Sequence, residues 1–294
     1  MVQELFLKKK LMKTDSASNI GAQLNESTAF LLEKGITSAK VDAELIFMHF
    51  LQMKRAELYL SHNMIIEEKI AVQIKNALQK RGTHYPLQYI LNEVHFLNTK
   101  LYVDESVLIP RPETEFLCDM IIKEYKGQKK EISCLDIGTG SGAIAIAIKK
   151  ELPQIKMDAC DISDKALLTA KKNANANNVK INFFTSDLFE KVSHKYDLII
   201  SNPPYVTETE YQTLEDELKH EPKNALVSNH EGLQHIYTII ENALLYMNAN
   251  AKIFIENGYQ QSEKIVEFVK KHNYKSFEII KDLCGIERFI KMEA

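Results

Sequence analysis

Apolar positions recur along this chain with two periods, and the change between them divides it. Over the first ninety or so residues the spacing is helical. Leu24, Phe30, Leu31 and Leu32 mark a helix over Ile20–Glu33, which Gly35 stops. Ser38 is placed to cap a second helix carrying Val41, Ala43, Leu45, Ile46, Phe47, Phe50 and Leu51. Ile70, Ile74 and Leu78 share one face of a third helix over 67–81. Glycines and β-rich runs are few here. The expectation is a small helical bundle over 1–93 whose exposed face recognises a protein.

The period then shortens. His95-Phe96-Leu97 and Lys100-Leu101-Tyr102-Val103 read as a hairpin around Asn98-Thr99, within a linker over 94–111. A helix over Pro112–Tyr125 follows, with proline near its first turn. Glu113 and Thr114 read either as caps of that helix or as part of a segment closing over a ligand. From 131 onward, strands and helices alternate. Apolar runs at 132–137, 156–160, 181–184, 196–200 and 251–256 read as strands, and 277–280 with 288–290 as a closing antiparallel pair. Helices are expected at 143–150, 165–175, 233–247 and 261–272. Such alternation predicts an α/β domain over 112–294 built on a parallel sheet.

Chemistry gathers at the ends of these strands. Asp136 and then Gly138-Thr139-Gly140-Ser141-Gly142 follow the first strand and open a helix, as in a nucleotide-binding βαβ unit. The spacing G-x-G-x-G departs from the dinucleotide pattern, and Asp136 would oppose a pyrophosphate. A ligand with a cationic amino-acid end fits better, and S-adenosylmethionine is one. Asp161 ends the second strand, nineteen residues after Gly142, near the ribose-binding spacing. Asp187 and Leu188 follow the third, where they suit an adenine amino group and ring. The fourth strand ends in Ser201-Asn202-Pro203-Pro204-Tyr205. Asn202 offers an amide oxygen, the prolines stiffen the turn and aim the Pro203 carbonyl, and Tyr205 offers a flat face. Two oxygens beside an aromatic plate suit a planar amide or amino nitrogen.

Composition narrows the picture. The chain has 294 residues, a formal net charge of −3, 45% hydrophobic and 26% charged residues. That is an ordinary soluble balance and argues against a general nucleic-acid surface. Cys118, Cys134, Cys160 and Cys284 form no C-x-x-C pair, so no metal is expected and a reducing cytoplasm is. Cys134 and Cys160 read as core residues. The start, with Lys8-Lys9-Lys10 after a short apolar run, lacks a secretory pattern, and the lysines read as a solvated face or ragged terminus. No apolar run is long enough for a membrane span. His194, His220, His230 and His235 read as surface or packing residues rather than bases.

The order Asp-x-Gly-x-Gly-x-Gly, strand-end Asp, Ser-Asp-Leu and Asn-Pro-Pro-Tyr resembles class I methyltransferases acting on nitrogen. More narrowly it resembles the release-factor glutamine N5-methyltransferases, the HemK or PrmC family. Leu108-Ile109-Pro110-Arg111-Pro112-Glu113-Thr114-Glu115 looks like that family's signature, and Arg81 to Ile90 like its approach. Glu221-Pro222-Lys223-Asn224-Ala225-Leu226, Glu231-Gly232-Leu233, Glu256-Asn257-Gly258-Tyr259-Gln260 and Asp282 to Arg288 continue the likeness. Asn92 departs from it, standing where a glycine is expected.

The resemblance implies a seven-stranded, mostly parallel class I methyltransferase sheet. It implies methyl transfer from S-adenosylmethionine, leaving S-adenosylhomocysteine, to the glutamine of the Gly-Gly-Gln loop in class I peptide-chain release factors. Asn202, Pro203 and Tyr205 would act on the amide, with Pro204 holding the loop. Asp136, Gly138, Thr139, Gly140, Ser141, Gly142, Asp161, Asp187, Leu188 and Asn202 would hold the cofactor. A monomer without membrane or stable nucleic-acid contact is expected. The alternatives are a glutamine methyltransferase of a large-subunit ribosomal protein, an adenine-N6 nucleic-acid methyltransferase, and a module that only docks release factors.

Overall fold

The helical period of the first ninety residues becomes a set of packed helices in the computed structural model, which describes residues 19–128 and 130–294. The lysine run at 8–10 lies outside the described residues. Helix α1 (Ile20–Glu33) starts where the Asn19 side chain accepts the Ala22 N–H, and ends before Gly35 at φ +81°. Helix α2 (Ala39–Leu51) follows Ser38, whose hydroxyl makes no capping bond. Its ψ of 15° departs from the extended backbone that aims a capping side chain, which corrects the expected role. Helices α3 (Arg55–Leu60), α4 (Glu68–Arg81) and α5 (Leu87–Leu91) complete the group. Two are too short to show a period. Leu31, Ile46, Phe47, Ile74 and Leu78 form its core. Inside it Arg81 meets Asp42 at 2.7 Å, and a charge buried this far is tolerated only with such a partner.

The chain divides into two compact units, 1–91 and 92–294. Asn92 opens the second with φ +51°, and its side-chain amide donates to the Val103 carbonyl at 3.1 Å. That accounts for the departure noted in the sequence: asparagine visits the left-handed region more readily than other side-chain-bearing residues. Strands β1 (Val94–Phe96) and β2 (Thr99–Leu101) pair around Leu97-Asn98, one residue earlier than the spacing suggested. Thr99 is paired rather than in the turn, its hydroxyl donating to the Phe96 carbonyl at 2.6 Å. Phe96 and Leu101 are buried in the core of the second unit, so the hairpin is part of its packing.

Helix α6 (Pro112–Tyr125) leads to a sheet of β3 (Ile132–Ile137), β4 (Ile155–Asp161), β5 (Asn182–Thr185), β6 (Tyr196–Ser201), β7 (Met247–Glu256), β8 (Ser276–Lys281) and β9 (Glu287–Glu293). Their order is β5-β4-β3-β6-β7-β9-β8, and only the contacts of β9 are antiparallel. This is the mostly parallel seven-stranded sheet of the class I methyltransferase fold. Helices α7 (Ala143–Glu151), α8 (Asp164–Ala176), α9 (Gln234–Ala243) and α10 (Ser262–Val269) accompany it. Alternation along the strands splits the core. Cys134, Leu198, Ile200 and Phe254 pack with α6 and α7, while Leu135, Ile199, Ile253 and Ile255 pack with α9 and α10. Helix α9 is shorter than its apolar spacing implied, because Leu244–Tyr246 is a single 3-10 turn and β7 begins at Met247. Strand order reverses between β3 and β6, and ligands of open α/β sheets bind at the carboxyl ends beside such a reversal.

Candidate active site

The glycine loop leaves the end of β3. Gly138, Gly140 and Gly142 all have positive φ, but for different purposes. A side chain at Gly138 or Gly140 would meet no atom within 4 Å, so those positions face open space. A Cβ at Gly142 would stand 3.0 Å from Ile146 and 3.2 Å from Ala170, so this glycine serves the packing of α7 on α8. The Gly140 N–H donates to Asp161 at 2.8 Å, and the Ser163 N–H to the other oxygen of Asp161 at 2.9 Å. The ends of β3 and β4 are thereby tied. Burial pushes Asp161 above the usual carboxylate range, against these bonds.

Gly138, Gly140, Asp161, Asp187, Leu188 and Asn202 line one cleft, with Pro204 beside them. Asp136, Thr139, Ser141 and Gly142 lie behind its wall. There the Thr139 hydroxyl donates to Asp136 at 2.6 Å, bracing the turn, and Asn173 donates to the Ser141 carbonyl at 2.9 Å. Asp136 is fully buried, and desolvation pushes it up to about 7 despite the Thr139 bond. Its Oδ1 has no hydrogen-bond partner. His235 also lines the cleft. Its Nδ1 lies 2.7 Å from the Ser228 hydroxyl, and burial holds the imidazole below its ordinary value, hence neutral near pH 7.

Strand β6 ends with Ser201, whose hydroxyl donates to the Ile137 carbonyl at 2.9 Å and fixes the edge next to the glycine loop. Asn202 follows, half-buried, and Pro203 is buried. The Asn202 side-chain nitrogen donates to the Thr114 hydroxyl at 3.1 Å, and Thr114 donates to Glu256 Oε2 at 2.7 Å. Thr114 is therefore no cap of α6. Tyr205 points its hydroxyl at Glu256 Oε1, 3.4 Å away. Glu256 is buried at the end of β7, and desolvation pushes it up to about 7 against the bonds it accepts. Burial likewise raises Tyr205, keeping its phenol neutral.

Below the loop, Gln261 donates to the carbonyls of Tyr205 and Glu231 and accepts the Gly258 N–H. His230, Glu231 and Gly232 form three consecutive left-handed residues. A Cβ on Gly232 would lie 2.1 Å from the Tyr205 carbonyl oxygen, so only glycine fits there. Glu221 accepts from the Ile109 N–H at 2.9 Å and from Arg111 at 2.5 Å, joining the segment before α6 to the one after the Asn-Pro-Pro-Tyr loop. Thr114, Glu221, Glu256, Gln261 and His235 carry this architecture without having been singled out for it by spacing. Thr114 and Glu256 are 142 positions apart, and no local pattern reports such a pair.

The donor set suits S-adenosylmethionine. Two carboxylates, Asp161 and Asp187, flank an apolar Leu188, open glycine backbone faces the cleft, and a buried carboxylate oxygen of Asp136 backs the loop. Among the described residues, no group of three or more His, Cys, Asp or Glu side chains is arranged for a metal ion, and no helix is long and apolar enough to cross a membrane.

Known proteins share the sequence pattern and the fold of this chain. Residues 113–269 match the methyltransferase small domain family, and residues 22–91 match the PrmC N-terminal domain. A methyltransferase of Pyrococcus furiosus shares the fold at a TM-score of 0.51 and 18% identity, over 67% of this chain and 89% of that one. The release factor glutamine methyltransferase of Flavobacterium psychrophilum is 38% identical over 84% of this chain and 89% of its own length. That of Rhodopirellula baltica is 35% identical over 92% and 94%. The chain belongs to the release factor glutamine methyltransferase family.

Proposed function

We propose that this protein transfers a methyl group from S-adenosylmethionine to the side-chain N5 of the glutamine in the Gly-Gly-Gln loop of class I peptide-chain release factors. The observation that carries the reading is Asn202, held at the cleft's edge with its NH₂ turned to Thr114 and its oxygen left for a substrate N–H. S-adenosylmethionine, when bound, supplies an electrophilic methyl on a sulfonium. Asp161 and Asp187, which line the cleft, would accept from its hydroxyl and amino groups, and the glycine loop would let it approach the backbone.

An amide nitrogen is a poor nucleophile because its lone pair is delocalised. Asn202 Oδ1 and the Pro203 carbonyl would accept its two N–H bonds, orient it and favour the positive charge that grows on it, and the methylated nitrogen then sheds one of those two protons to water. Tyr205 and Pro204 hold the shape of that edge. Residues 1–93 supply the surface that reads the release factor. The protein acts as a cytoplasmic monomer.

The test is transfer of labelled methyl from S-adenosylmethionine to purified release factor, beside a version whose loop glutamine is replaced. Label on the intact loop alone is expected. No label on either, with the cofactor bound, overturns the reading and directs attention to a ribosomal-protein or adenine substrate.

A further inference from the structure

Resting on that reading of the site, we propose that Thr114 and Glu256 are positioning residues that set which way the Asn202 amide faces. The argument is one of proton counting. A threonine hydroxyl has one proton and two lone pairs. The Thr114 proton is committed to Glu256 Oε2 at 2.7 Å, so toward Asn202 this oxygen can only accept. The Asn202 group 3.1 Å from it must then be the NH₂. The two ends of an amide have the same shape, and packing alone does not choose between them. The carboxylate makes the choice, through Thr114, and leaves Oδ1 on the opposite side to accept from a substrate N–H.

All three side chains are held in place. Thr114 and Glu256 are buried, and the half-buried Asn202 follows directly on the end of β6 with its side chain bonded to Thr114. Tyr205 stands on the second oxygen of Glu256, so the carboxylate ties both polar ends of the Asn-Pro-Pro-Tyr loop to one atom group. Buried polar groups in such a chain polarise one another, and each is costly to leave unpaired.

The polarity depends on Glu256 being ionised. A proton on Oε2 would donate to Thr114, free the Thr114 proton for Asn202 and favour the opposite amide orientation. Glu256 titrates among Arg288 on β9, which favours its charge, Glu113 on α6, which opposes it, and the neutral Tyr205. Cys118 of α6 feels the same carboxylate and, being buried, stays a thiol. Burial pushes Glu256 up to about 7, so the competent orientation is gained as pH rises through that value and lost below it.

The experiment compares the full-length protein with Thr114→Val, Thr114→Ser and Glu256→Gln. Single-turnover methyl transfer to release factor, S-adenosylmethionine affinity and NMR of the Asn202 side-chain NH₂ are measured from pH 5.5 to 8.5, about 1.5 units either side of the Glu256 transition. Thr114→Val should slow transfer on the order of 10- to 100-fold at unchanged cofactor affinity, the scale expected for a misaimed reacting group. Thr114→Ser should restore it. In the wild type the Asn202 NH₂ resonances should shift through a transition near 7 that the rate follows, and Glu256→Gln should abolish that transition. A Thr114→Val rate within twofold of wild type overturns the proposal. So does a transition that persists in Glu256→Gln, which would belong to another group such as Asp136. The NMR arm needs no substrate, so a wild type that labels no release factor counts against the proposed activity alone.

Discussion

In the proposed reaction Asn202 has the narrowest task, and its neighbours are arranged around it. The side chain donates inward to Thr114, and the adjoining strand end is pinned by Ser201 on the Ile137 carbonyl. Asn202→Ala should keep S-adenosylmethionine affinity within a few-fold while turnover falls about 10²- to 10³-fold, the loss seen when one transition-state hydrogen bond is removed. Parallel calorimetry and single-turnover kinetics check this, and equal loss of both properties would remove Asn202 from the chemistry. Gly232 acts from behind the loop. A methyl there would press to 2.1 Å from the Tyr205 carbonyl oxygen, at a φ of +81° that costs an alanine about 1–2 kcal/mol. Gly232→Ala should therefore cut turnover while leaving far-ultraviolet circular dichroism and cofactor affinity near wild type, because the glycine loop is built on another strand.

Elements show why some of this was legible in the sequence and some was not. Strands β3 and β6 are largely buried on both faces and read as apolar runs broken by few polar residues, Ser133 and Asp136 in one and Asp197 in the other. Helix α6 announced itself by Pro112, with bounds matching the expectation. The hairpin slipped by a residue because Asn98-Thr99 looks like a turn, whereas the left-handed residue is Leu97. The glycine loop and Asn-Pro-Pro-Tyr were visible because each is contiguous. The Thr114–Glu256 and Arg111–Glu221 pairs were not, because their partners meet only when α6 packs beside the sheet. That packing has a charged fastening: Glu124 of α6 accepts from Lys252 on β7 and Lys291 on β9. Burial alone would raise Glu124, but the two lysines outweigh it and hold it below the ordinary value. A depressed carboxylate contributes stability that is present at neutral pH and lost as pH falls through its lowered value. Glu124→Gln should cost about 1 kcal/mol at pH 7, since the group is partly exposed, and the gap should close in acid. Urea unfolding at stepped pH measures it.

At the scale of the whole molecule, each compact unit carries its own apolar core, one around Phe47 and Leu78, the others around the two faces of the sheet. Residues 92–294 expressed alone should therefore fold and bind S-adenosylhomocysteine. The expected rise in melting temperature corresponds to about 2.7 kcal/mol at a hundred times Kd. Failure to fold would mean that the second unit depends on the first. On the proposed function the labour is divided, one unit selecting the partner protein and the other selecting the atom. The second selection extends to age and damage. In the proposed reaction the groups that receive the substrate amide, the Asn202 oxygen and the Pro203 carbonyl, offer it only lone pairs. A glutamine that has deamidated to glutamate brings lone pairs and negative charge to meet them, so the worn residue is refused at the step where the intact one is modified.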